Sequence, residues 1–131
     1  MDTEKIIEYW RYHASYDIET AEALFKSGRY PYCLFMCHLA LEKILKALVV
    51  QATEQHALYT HDLVRLARLT EIVLTKKQSD QLAVINEFNL EARYPEWQKE
   101  FYKKATKKYA EKHLKMSKDI YLWLEKKFRQ K

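Results

Sequence analysis

Apolar residues recur at helical spacing through most of the chain, and over Tyr30 to Gln51 they cover nearly the whole circumference of a helix. Cys33, Leu34, Phe35, Met36, Cys37, Leu39, Leu41, Ile44, Leu45, Leu48, Val49 and Val50 leave little room for a polar face. Pro31 stands just inside the start of this stretch, where a helix tolerates a fixed φ and a missing N–H. A helix apolar on all sides is buried in a protein core or in a membrane. His38, Glu42, Lys43 and Lys46 interrupt this one well short of the roughly 18 apolar residues that a span requires. The pattern therefore predicts a central helix surrounded by other helices, and no membrane segment.

Those neighbours can be read from caps and breakers. Asp2 or Thr3 caps a first helix that runs to about Ser27, and Gly28 supplies the left-handed residue after its end. Its inner face reads Ile6, Trp10, His13 or Ala14, Asp17, Ala21 and Leu24. The connection Gly28–Tyr30 is short, so the first two helices should pack antiparallel. A polar loop covers 52–59. Thr60 is then the expected cap of a short helix through about Leu69, with His61 and Asp62 in its first turn. A fourth helix is predicted from about Lys77 to Ala92, with Leu82, Ile85 and Phe88 inward, and Pro95 ends it. Residues 93–102, RYPEWQKEFY, read as a packed polar-aromatic loop. The last helix spans about Lys104 to Phe128, with Ala105, Tyr109, His113, Met116, Ile120, Trp123 and Leu124 on one side. The fold class predicted is all-α: a single domain, residues 1–131, forming a bundle of about five helices.

Composition agrees with that reading, since one glycine and two prolines occur in 131 residues. The net charge of +5 is unevenly spread. Residues 1–98 carry 11 Lys+Arg against 14 Asp+Glu, whereas residues 99–131 carry 12 against 4. The lysines of the last helix, among them Lys104, Lys108, Lys112 and Lys115, lie opposite its apolar side. They form either a solubilising face or a stripe that tracks nucleic-acid phosphates. Cys33 and Cys37 sit one turn apart on the most apolar helix and read as buried free thiols, with no metal or other cofactor expected. An acidic N-terminus without an apolar signal core gives a cytoplasmic expectation.

The remaining candidates for chemistry are polar residues in apolar company. His38, Glu42 and Lys46 follow at i, i+4 on one face of the central helix, either as a solvated strip or as a seam facing a partner or ligand. Asp17 is either an exposed edge residue or the partner of Lys43 or Lys46. Arg93 offers a planar fork of donors, and Tyr94 a ring on which a base can stack. Asp17, Glu42, Lys46, His61, Arg93 and Tyr94 are expected to gather in one groove or at one end of the bundle as a ligand-binding site. The competing outcome is that Arg93 pairs with Glu42 and pins its loop. Tyr9, Trp10, Tyr12 and Tyr16 spread around the first helix and cannot all face one core, which predicts an apolar patch covered by a second subunit.

Four landmarks stand in order along the chain: Ala14…Asp17-Ile18…Ala21…Leu24, then Ala40-Leu41-Glu42-Lys43-Ile44-Leu45-Lys46-Ala47-Leu48, then Thr60-His61-Asp62-Leu63, then Ala92-Arg93-Tyr94-Pro95. Together they resemble the HEPN family (higher eukaryotes and prokaryotes nucleotide-binding) over about residues 5–128. The resemblance implies an up-and-down bundle that often dimerises and works near nucleotides or RNA. It also implies a minimal nucleotidyltransferase as partner in a toxin–antitoxin pair. Catalytic members are ribonucleases with an arginine, four to six residues, then a histidine. Here His13 follows Arg11 too soon, eight residues separate Arg29 from His38, and no histidine follows Arg93 before His113. The usual ribonuclease spacing is absent, so any ribonuclease site would be a non-standard Arg/His pair such as Arg93 with His61. A non-catalytic helical interaction module is the other alternative.

Overall fold

The structure is a computed structural model describing residues 1–129, and it comprises α1 (Thr3–Lys26), α2 (Tyr30–Thr53), α3 (Leu63–Leu69), α4 (Lys76–Arg93), α5 (Pro95–Lys104) and α6 (Lys107–Glu125). The stretch with apolar residues on every side becomes α2, and its Leu34, Leu41, Ile44 and Leu45 are wholly buried. Asp17 of α1 meets Lys43 of α2, and Trp10 meets Lys46, so the two helices run antiparallel as their short connection requires. Gly28 takes the left-handed conformation (φ 78°), and the Arg29 N–H closes α1 on the Leu24 carbonyl at 2.8 Å. Helix α6 runs antiparallel to α1, with Arg11 paired to Glu125 and Lys118 to Glu22. It therefore runs parallel to α2, and α3 to α5 form the crossover between them.

The bundle is all-α, and it has six helices among the described residues rather than about five. The loop expected over 93–102 is mostly α5. Pro95 does end α4, but a missing N–H costs nothing at the first position of a helix, so the same residue starts the next one. The N–H groups of Trp97 and Gln98 then donate to the Tyr94 carbonyl at 2.9 and 3.1 Å. The last helix consequently begins at Lys107, where the Thr106 side chain caps Tyr109 N–H, and it ends at Glu125 rather than Phe128.

The cap of α3 also moves. Thr60 Oγ1 accepts the Asp62 N–H, whereas Asp62 Oδ1 accepts from Val64 and Arg65 and is the true N-cap. A carboxylate is favoured over a hydroxyl at the positive end of a helix. His61 thus lies before α3, in the segment leading into it.

At the junction of α4, α5 and α6, Phe88 packs against Phe101, Tyr109 and His113 with ring centroids 5.6–6.2 Å apart. His113 is a core histidine whose Nδ1 donates to the Tyr109 carbonyl at 2.8 Å. Cys33 and Cys37 are free and buried. Among the described residues, no helix is long and apolar enough to cross a membrane.

Candidate functional site

The polar strip of α2 is not solvated. His38, Glu42 and Lys46 are 0%, 4% and 6% exposed, because α1 covers one flank and the segment 59–62 lies over the other. Burial obliges every charge in such a strip to find a partner. Lys46 Nζ donates to Glu42 Oε2 at 3.1 Å and lies over the rings of Trp10 and Tyr59, at 5.2 and 5.9 Å from their centroids. His61 Nδ1 donates to the other oxygen, Glu42 Oε1, at 2.8 Å. His38 Nε2 donates to the His61 carbonyl at 2.9 Å. Glu42 therefore holds a cation on one oxygen and an imidazole on the other, and His61 is gripped through both side chain and backbone.

This arrangement fixes which nitrogen of His61 faces outward. With Nδ1–H committed to Glu42, Nε2 is free to accept a proton or to meet an incoming donor, and the side chain is 39% exposed. The Tyr59 ring lies 6.1 Å from it and is 90% exposed. A histidine oriented by a buried carboxylate, with its far nitrogen open, has the geometry needed for acid–base chemistry or for holding a phosphate or hydroxyl.

Burial pushes the His38 pKa below the ordinary 6.5, with Arg93 and His61 acting the same way, and Glu42 and the bond to the His61 carbonyl opposing. Its Nδ1 is buried without a hydrogen bond, 3.8 Å from Glu42 Oε1. Burial likewise lowers the pKa of His113, and the bond to the Tyr109 carbonyl opposes it. Both histidines bind protons less readily in the folded chain than in the unfolded one. Stability is therefore unaffected above the unfolded value of about 6.5, and it declines as the pH falls from there through the folded values. Thermal melts between pH 5 and 8 should show this decline, and a His38→Gln chain, which has no imidazole to protonate at that position, should show a shallower one. Equal slopes for the two chains would show that His38 does not contribute.

The other predicted residues make no direct contact with Glu42 among the described residues. Asp17 is 5% exposed, which overturns the exposed-edge reading. Its Oδ2 lies 2.6 Å from Lys43 Nζ, too poorly aligned for a directed hydrogen bond, so the contact is an ion pair on the α1–α2 seam. Asp17 does not join Glu42. Neither does Arg93, and the expected alternative of an Arg93–Glu42 pair is not formed. Arg93 Nε donates to Asn89 Oδ1 at 2.8 Å, and the guanidinium lies 5.4 Å above the Phe35 ring, one turn before His38 on α2. Arg93 is exposed and makes no other side-chain hydrogen bond among the described residues, and its charge still reaches His38. Tyr94 is 49% exposed at the α4–α5 corner.

Of the lysine stripe, Lys104 pairs with Glu91 at 2.7 Å and Lys115 with Asp119 at 3.2 Å. Lys108 and Lys112 are exposed and make no ion pair among the described residues. Trp10 and Tyr59 were not anticipated at the cluster. Trp10 reads simply as an inward residue, and nothing in the sequence around Tyr59 ties that loop position to Lys46.

A family model described as HEPN domain matches residues 7–127. The structure is similar to the crystal structure of TT1696 from Thermus thermophilus, with a TM-score of 0.80 at 19% identity, covering 93% of this chain and 98% of the other. At that identity the likeness shows the fold alone. No curated protein matches the chain.

Proposed function

The chain belongs to the HEPN family, and from that premise we propose that it binds a nucleotide, or a nucleotide unit of RNA, through His61 and the neighbouring Tyr59, with Arg93 and Tyr94 at the end of α4 as further contacts. The observation that carries this reading is the Glu42–His61 bond. A buried carboxylate is spent on orienting one imidazole whose other nitrogen faces outward. Arg93 supplies unused guanidinium donors suited to a phosphate, and the exposed rings of Tyr59 and Tyr94 supply faces for a base. Glu42 and Lys46 support this site from beneath, and Asp17 is assigned to the α1–α2 seam instead.

Titration calorimetry with ATP and with a hexauridylate tests the reading. Arg93→Ala and His61→Gln are expected to weaken binding by about tenfold or more, the usual cost of losing a hydrogen bond to a charged group. Arg93 is exposed and makes no buried pair, so its loss should leave the melting temperature nearly unchanged. Wild-type affinity in both variants overturns the assignment, as does the absence of binding at millimolar ligand.

The outward Nε2 of His61 favours a second reading, a ribonuclease with a non-standard Arg/His pair. Cleavage of the hexauridylate by the wild type but not by His61→Gln supports it. The role in a toxin–antitoxin pair, with a minimal nucleotidyltransferase as partner and the chain itself a homodimer, belongs to the same proposal.

A further inference from the structure

One face of α1 is left uncovered by the described residues. On a helix turning 100° per residue, Lys5, Tyr9, Tyr12, Tyr16 and Glu19 fall within about 80° of one another, directly opposite the buried Ala14, Ile18 and Ala21. Tyr9, Tyr12 and Tyr16 are 55%, 65% and 59% exposed. Their spacing of three and four residues is that of a seam between two helices. His13 braces two of the rings, with centroids 4.4 Å from Tyr9 and 5.3 Å from Tyr12, so the aromatic surface is held in place within the protomer.

The ends of the seam carry opposite charges. Lys5 and Glu19 are exposed and make no ion pair among the described residues. They lie seven positions to either side of Tyr12. If a second copy lies antiparallel across this face, with the two-fold axis beside Tyr12, each Lys5 comes opposite Glu19 of the partner subunit. A parallel arrangement would instead set lysine on lysine and glutamate on glutamate. At roughly 200 Å² for a buried tyrosine, the exposed parts of the three rings amount to about 350 Å² per protomer. That is the apolar centre of a patch whose full size in a stable dimer is about 800 Å² per side, with a polar rim supplying the rest.

We infer that this face of α1 is a self-association surface, and that the protein forms a two-fold dimer with its α1 helices antiparallel and Lys5 paired to Glu19 of the partner subunit. The inference rests on the proposed homodimer and specifies its geometry. An isologous contact of this kind repeats each pairing twice, so a single substitution acts at two places.

Sedimentation and cross-linking of the full chain test it. Lys5→Glu should raise the dimer dissociation constant by about tenfold or more at low salt, and Lys5→Glu with Glu19→Lys should restore it, because both like-charge contacts become opposite-charge contacts again. Tyr12→Cys, next to the axis, should form an intermolecular disulfide under mild oxidation, since Cys33 and Cys37 are buried and stay out of reach. A monomer at micromolar concentration overturns the dimer altogether. A dimer that ignores the charge reversal and does not cross-link at Tyr12→Cys overturns this geometry while leaving dimerisation intact. Loss of ATP binding with the dimer unchanged would count against the nucleotide site alone.

Discussion

A Glu42→Ala chain should lose about 3–5 kcal/mol of stability, the cost of leaving one member of a buried ion pair without its partner. Three effects act together. The ammonium of the buried Lys46 keeps only the rings of Trp10 and Tyr59 for company. His61 loses its 2.8 Å anchor, and a cavity opens beneath the segment that leads into α3. For a domain of this size the melting temperature should drop by on the order of 10–20 °C. Replacing both partners with methionine should cost far less, because a buried pair exchanged for apolar groups of similar volume is often close to neutral. A double-mutant cycle by urea denaturation measures the difference as a coupling energy. If Glu42→Ala costs under about 1 kcal/mol, the strip is solvated in solution and the basis for orienting His61 disappears.

The second large effect is expected at Phe88→Ala, again about 3–5 kcal/mol. Phe88 is fully buried and touches Phe101 of α5 and both Tyr109 and His113 of α6. Phe101 is the one residue through which α5 is anchored in the core. The cavity should therefore loosen α5 before it loosens α2, and amide exchange across 95–104 should accelerate more than exchange across 40–50. A uniform increase over both segments would mean that α5 is held by something other than the Phe88–Phe101 contact.

Local chemistry made α1, α2 and α4 readable along the chain. Asp2 caps Lys5 N–H, Gly28 stops α1, Pro31 stands at the start of α2 and Pro95 stops α4, and each of these acts within a few residues. Long apolar periods then set which faces turn inward. The short elements escaped this logic. Helix α5 buries a single side chain over ten residues, too little for any period to register, so Pro95 looked only like a stop. Thr60 and Asp62 are both good caps two residues apart, and the sequence offers no way to rank them without the helix they serve.

What the sequence determined by itself about this protein is therefore its helical class, its central helix and the family it joins, since each follows from periodicity, capping or residue order along one chain. Spacing also placed His38, Glu42 and Lys46 on one face. Spacing says which residues share a face and nothing about what covers it. Only the tertiary structure decided that Trp10 from α1 and His61 from the segment before α3 close over that face, turning a strip that could have been solvated into a buried carboxylate with two partners. It likewise gave Asp17 to Lys43 and Arg93 to Asn89. The physical reason is that a buried charge takes the partner brought nearest by packing, and that distance is set by how helices far apart in the chain come to lie against one another.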